Sequence, residues 1–281
     1  KYSYIANERH WVGDGFYVHP LLRPSEELTK YISPFILMDY ASPMEFPKST
    51  TPKGVGEHPH RGFETVTLAY QGEVEHRDSS GGGGIIKSGE VQWMTAGSGI
   101  VHDEFHSEQF SNEGGIFEMV QLWINLPKKD KMTAPKYQGI ENKIIPVVKI
   151  GSNTELRVIA GELQGTKGPA STFTQINMYD ISSTDKDDLS LKLNNGTNTI
   201  ILVMNGEIEL EHKKYSEQGV IIFEQGGEQI NFKVSKNFKG LILNGEPINE
   251  SMVAHGPFVM NTREEISEAI KDFQNGKMGQ L

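Results

Sequence analysis

Apolar and polar residues alternate along much of this chain with a period of two, which is typical of β-strands. Short runs of this kind recur at residues 65–70, 156–159, 173–181, 199–204, 219–223 and 239–243. In the run 116–126 both alternating faces are mainly apolar, which predicts a strand buried on both sides. Asn-Gly pairs at 195–196 and 205–206 favour the tight turns of hairpins. The pattern predicts an all-β protein built of barrels or sandwiches.

A segment rich in lysine, proline and glycine, residues 127–152, separates two parts that are rich in predicted strands. Both parts contain a Gly-Glu turn between strands, at 72–73 and at 206–207, which hints at a duplicated domain. We expect an N-terminal domain at 1–140, a C-terminal domain at 141–245 and a tail at 246–281.

The tail contains the clearest predicted helix, over residues 263–275. Thr262 and Glu265 have the spacing of a capping box, in which each side chain accepts from a free amide at the helix start. Gly276 is suited to end the helix. Apolar residues at helical spacing predict a buried stripe formed by Ile266, Ala269, Ile270 and Phe273.

Composition excludes several classes of function. The 281 residues carry a net charge of −10, which argues against direct binding of nucleic acid through a broad basic surface. There is no cysteine, so disulfides, thiolate metal sites and cysteine nucleophiles are excluded. No apolar run reaches the length of a membrane span or resembles a signal peptide, so we expect no membrane association and a cytoplasmic location.

Two pairs of metal-ligating residue types carry the candidate chemistry. His58 and His60 are two residues apart, and so are His102 and Glu104; on a strand each pair points to one face. If the two segments lie on neighbouring strands, the four side chains converge. Three imidazoles and one carboxylate suit a divalent ion such as iron, manganese, nickel or zinc.

Other polar residues near this segment have simpler interpretations. His76 and His106 could carry protons near neutral pH, but we expect exposed loop or strand residues. Gln92, Trp93 and Met94 could line a cavity, but we expect ordinary core. His212, the one histidine between residues 152 and 243, is expected on a solvent-facing strand.

Three segments resemble the hallmark sequences of the pirin family: HPHRGFETVT at 58–67, GEVQWMTAGSGIVHDE at 89–104 and GPFVMNTREEISEAIKDFQNGKMG at 256–279. The resemblance implies a bicupin, with two tandem cupin β-barrels of the jelly-roll type and a short C-terminal helix. It also implies one divalent metal in the N-terminal barrel and a C-terminal barrel without ligands. The implied ligands are His58, His60, His102 and Glu104.

Glu64 is an alternative to Glu104, because His58, His60 and Glu64 also fit the general first motif of cupins. Glu64 has the same strand parity as the two histidines and could face the metal. We favour Glu104 as the ligand. Glu64 is then expected next to the ligands, where it could orient a ring nitrogen or a water at an open position. Both glutamates are candidate catalytic residues.

The resemblance also implies two possible functions. Several pirins are quercetin 2,3-dioxygenases, so a flavonoid-like substrate is expected, with Glu104 or Glu64 as general base. The alternative is a non-enzymatic, metal- or redox-dependent regulator that binds a transcription factor or a metabolic enzyme. We expect iron(II) as the ion, with manganese, nickel, cobalt, zinc or copper as alternatives, and a monomer.

Overall fold

The computed structural model describes residues 1–281 and consists mainly of strands. It has 26 strands and three α-helices, the latter being α1 (Thr29–Ile32), α2 (Glu108–Glu113) and α3 (Arg263–Gln274). The prediction of an all-β protein with one short C-terminal helix is confirmed. None of the three helices has the length and apolar character needed to cross a bilayer.

Twelve strands lie in the first half of the chain: β1 (Tyr2–Ile5), β2 (His10–Val12), β3 (Phe16–Leu22), β4 (Phe35–Phe46), β5 (Gly54–His60), β6 (Phe63–Gln71), β7 (Val74–Asp78), β8 (Gly83–Ile86), β9 (Val91–Thr95), β10 (Ile100–His106), β11 (Gly115–Asn125) and β12 (Lys136–Ile140).

Fourteen strands follow: β13 (Val147–Lys149), β14 (Thr154–Ala160), β15 (Glu162–Leu163), β16 (Thr166–Lys167), β17 (Ile176–Ser183), β18 (Asp187–Lys192), β19 (Asn198–Asn205), β20 (Ile208–Leu210), β21 (Lys213–Tyr215), β22 (Gly219–Ile222), β23 (Gln229–Val234), β24 (Lys239–Gly245), β25 (Val253–His255) and β26 (Phe258–Met260).

The chain divides into two compact units, and neither is one continuous segment. The larger unit contains Glu8–Arg23, Phe35–Asn142 and Ile248–Leu281. The smaller unit contains Lys1–Asn7, Pro24–Pro34 and Lys143–Pro247. The C-terminal tail thus folds with the larger unit.

The larger unit has two main antiparallel sheets. One has seven strands in the order β12-β9-β6-β11-β4-β3-β2, and the other has four in the order β5-β10-β7-β8. Buried apolar side chains from both sheets form one cluster, which includes Phe16, Val74, Ile86, Phe117 and Met119. Burying the apolar face of each sheet against the other stabilises the pair.

The smaller unit repeats this plan. Its seven-stranded sheet has the order β1-β22-β19-β24-β17-β14-β13, and its four-stranded sheet has the order β18-β23-β20-β21. Side chains from both sheets again share a core, with Leu156, Ile201 and Phe232 among its members. His212 is exposed, but it lies in the turn before β21 rather than on a strand as predicted.

The prediction of closed barrels needs a correction. In each unit the hydrogen-bonded strands form separate sheets, and the two main sheets are not joined edge to edge into a barrel. The two sheets are joined by side chains that pack between their faces. Because side chains alternate along each strand, every second one points inward.

Helix α3 begins as the sequence predicts. Thr262 accepts from the amide of Glu265 at 3.2 Å, and the Glu265 carboxylate accepts from the amide of Thr262 at 3.0 Å, which completes the capping box. Ile266 and Ala269 are buried, and Ile270 packs against the same cluster. Phe273 is 40% exposed, so the predicted stripe is one residue shorter.

Lys131 is a buried cation that ties three segments of the larger unit together. Its side chain is 1% exposed, and Nζ donates to the carbonyl oxygens of Gly62 and Val259 at 2.8 and 2.9 Å and to Asn125 Oδ1 at 2.6 Å. Burial lowers the pKa of Lys131 to about 8. Its three acceptors lie before β6, at the end of β11 and in β26, so this ammonium fixes the turn that follows β5.

Replacing this lysine should destabilise the protein strongly. Lys131→Met removes the hydrogen-bond donor shared by three buried oxygen acceptors, at a cost of about 1 kcal/mol or more for each. We expect the free energy of unfolding in urea to fall by about 3 kcal/mol. Lys129→Met, at an exposed position two residues before Lys131, is the control and should change it by less than about 0.5 kcal/mol. Equal stability of the two variants would contradict this role.

Candidate metal centre

Strand β5 carries His58 and His60 on one face because they are two residues apart and side chains alternate along a strand. β5 is the edge of the four-stranded sheet, and Pro59 lies opposite Val101 of β10. Proline lacks an amide donor, so within a sheet it is tolerated mainly at an edge. The two imidazoles on either side of Pro59 then point inward together.

Strand β10 brings the second pair of residues next to the first. His102 lies directly opposite His58, and Ile100 lies opposite His60. The register shifts between His102 and Glu104, so β5 has one extra residue there and is bulged next to His58. Bulges of this kind re-aim side chains and are frequent beside functional sites.

The three imidazoles converge. The ring centroid of His58 lies 4.8 Å from that of His60 and 4.3 Å from that of His102, and the His60 and His102 centroids are 4.8 Å apart. One ring nitrogen from each residue lies within 4.8 Å of the other two. Two nitrogens bound to one ion at about 2.1 Å lie at most about 4.2 Å apart, so small side-chain shifts suffice.

Each imidazole has a partner behind it, on Nδ1. The Nδ1 atoms of His58 and His60 lie 2.8 and 3.3 Å from the carbonyl oxygens of Gly56 and Pro257. Nδ1 of His102 lies 3.2 Å from Nδ1 of His76. The Nε2 atom of His102 is buried and has no hydrogen-bond partner. A cation in the centre would satisfy that atom, so the donor set fits a bound divalent metal.

Burial keeps the rings of His60 and His102 neutral. Burial, reinforced by the neighbouring His58, lowers the pKa of His60 to about 3. Burial and the nearby His60 and His58 hold the pKa of His102 well below its usual value. Only a neutral imidazole has a lone pair to offer a metal ion. The environment that excludes a proton thus keeps the ligand atoms available.

Glu104 is held by side-chain amides. Gln92 donates to its Oε1 at 2.5 Å, and Gln121 donates to its Oε2 at 2.9 Å. Thr67 makes a longer contact to Oε1 at 3.4 Å. A carboxylate oxygen of Glu104 lies within 4.8 Å of ring nitrogens of His102 and His76. Glu104 is not part of the group formed by His58, His60 and His102. Of the four predicted ligands, Glu104 is the one whose position fits a common centre least closely.

Glu64 lies on the opposite face of β6 from this site. Thr67, which contacts Glu104, and Glu64 are three residues apart on a regular part of the strand, so their side chains point to opposite faces. The parity argument for Glu64 is therefore wrong. It fails because β5 ends at His60 and β6 begins at Phe63 in the other sheet, after a turn at Gly62 with φ of +87°.

Glu64 is instead buried against β9. Thr95 donates to its Oε1 at 2.7 Å. Burial raises the pKa of Glu64 to about 7, and the hydrogen bond from Thr95 opposes this rise only in part. A carboxyl group in this position is expected to remain protonated up to near neutral pH.

An aromatic pair borders the imidazoles. The Phe63 and Trp123 rings have centroids 4.3 Å apart, and they lie 5.0 and 5.2 Å from the ring of His60. Trp123 is only partly buried, as is His58. One side of the cluster is thus accessible and apolar.

His76 and His106 are buried, so the expectation of exposed residues is wrong. His76 is 1% exposed on β7, and His106 is 2% exposed on β10. His106 packs on Phe46 and Phe117 and contacts the carbonyl oxygen of Gly15 through Nε2 at 2.9 Å. It is a core residue, whereas His76 touches the metal-ligand candidates.

Sequence reasoning did not assign a positioning role to the residues around Glu104 and His102, although it considered His76 and Gln92 for other roles: Thr67, Gln92, Gln121, His76 and Asp78. One signal was available for Gln92 and Gln121. Each is an amide in the middle of an otherwise apolar strand, and a buried polar side chain needs a partner. Without knowledge of the strand order, however, that partner cannot be named.

The comparisons with known proteins agree with the two-unit fold. The Pirin family model matches residues 18–124, and the model of the Pirin C-terminal cupin domain matches residues 178–279. Two units of paired sheets, of which one holds a histidine cluster, define a protein with two cupin domains. The chain belongs to the pirin family.

Relatives in this family include named enzymes. The chain is 46% identical over 270 residues, 96% of its own length and 94% of the relative's, to the Pseudomonas aeruginosa protein "Putative quercetin 2,3-dioxygenase PA2418". It is 36% identical over 256 residues, 89% and 84% of the two lengths, to pirin of Mus musculus. A crystal structure of quercetin 2,3-dioxygenase from Acinetobacter baumannii superposes with a TM-score of 0.95 at 48% identity, covering 100% of this chain and 98% of that one.

The raised pKa of Glu64 should appear in the pH dependence of stability. The folded state keeps the Glu64 proton up to about pH 7, while the unfolded chain loses it near 4.5. The free energy of unfolding contributed by this group therefore falls as pH rises between these values, by about 3 kcal/mol in total.

Glu64→Gln should remove this loss, since glutamine cannot ionise. In urea denaturation the variant should match the parent protein near pH 4.5 and exceed it in stability at pH 8. Glu57→Gln, at an exposed position on β5, is the control and should keep the parent's pH dependence. A Glu64→Gln profile that runs parallel to the parent's would show that Glu64 ionises normally.

Proposed function

We propose that the chain binds one divalent metal ion through His58, His60, His102 and Glu104, and acts as a dioxygenase on flavonols such as quercetin. The observation that carries the proposal is the cluster of three imidazoles with the unpartnered Nε2 of His102. The 48% identity to a protein named quercetin 2,3-dioxygenase supports the reaction.

The donor set suits several ions. Neutral imidazole binds iron, copper, nickel and zinc well, and a carboxylate extends the range to manganese. Iron(II) is the proposed native ion, with manganese, nickel, cobalt, zinc and copper as alternatives. A small shift of the Glu104 side chain, which keeps its hydrogen bonds from Gln92 and Gln121, would complete the ligand set. Its carboxylate already lies near His102.

When bound, the ion would supply Lewis acidity toward a substrate hydroxyl and redox chemistry toward dioxygen. The protein's part is to orient the substrate and to hold the proton. Glu104 is the proposed acceptor for the proton of the flavonol 3-hydroxyl, because it is the carboxylate beside the imidazoles. Glu64 has no role here, since it faces the other side of β6.

The aromatic pair supports a flat aromatic substrate. Phe63 and Trp123 stand beside His60, and Trp123 keeps part of its ring exposed. A flavonol ring stacked on Trp123 would place its oxygen atoms toward the imidazoles. Offset stacking of this kind contributes about 0.5–1.5 kcal/mol.

Removal of one ligand tests the metal site. His58→Ala should lower metal content, measured on protein purified without chelators or a nickel column, to less than about a tenth of one ion per chain. Oxygen consumption and carbon monoxide release with quercetin should fall at least about a hundredfold, because the metal carries the oxidation. The fold should persist, since His58 is partly exposed.

The matched control is His255→Ala, which removes an exposed histidine of β25 in the same unit. It should keep both metal and turnover. Full metal content in His58→Ala would contradict the proposed ligand set. Inactivity of the parent protein with iron, manganese, nickel and cobalt alike would defeat the dioxygenase proposal while leaving the metal site in place.

Substitution of the aromatic wall tests substrate binding separately. Trp123→Leu should raise KM for quercetin about two- to tenfold through the lost stacking, with metal content unchanged. Trp11→Leu is the control, because Trp11 is 49% exposed and stacks on Tyr17 away from the cluster. An unchanged KM in Trp123→Leu would show that the substrate lies elsewhere.

The regulatory hypothesis uses the same metal site but needs a protein partner instead of a substrate. The partial exposure of His58 and Trp123, both in ring contact with His60, favours the enzyme, because a small molecule can reach the centre there. The proposal extends to a monomer in the cytoplasm, and size-exclusion chromatography with light scattering and cell fractionation test these two points.

A further inference from the structure

Strand β7 places two more titratable side chains behind the candidate ligands. In the antiparallel pairing of β10 with β7, Asp78 lies opposite His102 and His76 lies opposite Glu104. His76 is 1% exposed and Asp78 is 6% exposed. Neither residue belongs to the proposed ligand set.

These side chains form a chain of hydrogen bonds that ends on His102. Nε2 of His76 lies 3.0 Å from Asp78 Oδ2, and Nδ1 of His76 lies 3.2 Å from Nδ1 of His102. Asp78 is itself fixed, because its Oδ1 accepts from the amide and hydroxyl of Ser80 at 2.9 and 2.6 Å and from the amide of Gly82 at 3.0 Å.

This chain determines which nitrogen of His102 carries the proton. A neutral imidazole has one N–H donor and one lone pair, and a carboxylate can only accept. Asp78 therefore requires a proton on Nε2 of His76, which in the neutral ring leaves the lone pair on Nδ1. His102 must then donate from its Nδ1, so its Nε2 keeps the lone pair that a metal ion needs.

His102 needs such a chain more than the other two histidines do. Behind His58 and His60 stand carbonyl oxygens, of Gly56 and Pro257, which are always acceptors. Behind His102 stands a second imidazole, which can donate or accept according to its own tautomer. Without Asp78, His76 could donate from Nδ1, and His102 would present N–H instead of a lone pair to the centre.

We propose that Asp78 and His76 are positioning residues that fix His102 in the tautomer whose Nε2 binds the metal. The inference rests on the proposed metal site but not on the dioxygenase reaction. It gives a role to Asp78 and His76, two buried polar residues of β7 that are not among the proposed metal ligands. Carboxylate or carbonyl partners behind metal-bound histidines commonly act in this way.

Asp78→Asn is the sharpest test, because it changes one hydrogen bond. Asparagine Oδ1 can still accept from Ser80 and Gly82, while its amide now donates to Nε2 of His76 and reverses the chain. In ¹⁵N–¹H spectra of the metal-free protein, His102 should change from the Nδ1–H to the Nε2–H tautomer. The Kd for Co(II), measured by competition with a chelator, should rise about 10- to 100-fold.

Arg77→Gln is the matched control on the same strand. Arg77 points to the other face, where it is exposed and pairs with Asp103. This variant should keep the parent's tautomer and Kd. If Asp78→Asn fails to fold, His76→Phe provides the second variant, since phenylalanine can keep the stacking on Tyr137 but removes both nitrogens. It should give a mixture of His102 tautomers and a similarly weakened Kd.

Each outcome separates this inference from the proposed function. An Asp78→Asn protein with the parent's tautomer and Kd would overturn the positioning role. So would two ions per chain that fall to one in His76→Phe, because His76 would then be a ligand. If the parent protein does not bind Co(II), or if His58→Ala still binds it, the proposed metal site is wrong. The tautomer measurement would still test the chain of hydrogen bonds in that case.

Discussion

The candidate site depends on one constraint, the antiparallel register of β10 with its two neighbours. This register sets His102 opposite His58 on one side and opposite Asp78 on the other. A slip by one residue would turn every side chain of β10 to the other face, because successive residues of a strand alternate. The imidazoles would then separate. The edge position of β5 has a separate cause, because Pro59 lacks an amide hydrogen and is tolerated mainly at a sheet edge.

Burial and hydrogen bonding together give the site its chemistry. Burial makes an imidazolium unfavourable at His60 and His102, so both rings are neutral and one nitrogen of each is free for a cation. The other nitrogen of each ring is engaged from behind. The same bonds hold the fold together: Pro257 belongs to the C-terminal segment, and its carbonyl joins that segment to β5. Metal binding and packing of the tail are therefore physically linked within the larger unit.

The differences from expectation have physical causes at particular residues. Glu64 was assigned to the site by counting parity across a turn, but parity is lost when the chain passes from one sheet to the other at Gly62. His76 was expected to be exposed, but its neighbours Glu75 and Arg77 are charged. In the structure those charged side chains take the outer face of β7, and His76 takes the inner one.

The sequence by itself determined what is local: the strand periodicity, the capping box of α3, and the spacing that puts His58 with His60 and His102 with Glu104 on common faces. Such features depend on backbone geometry over a few residues, which the order of amino acids dictates directly. Only the tertiary structure decided which side chains stand behind the ligands, because Gln92, Gln121, His76 and Pro257 come from other strands or from the far end of the chain. Their partners depend on sheet order and register, which arise from the packing of the whole unit.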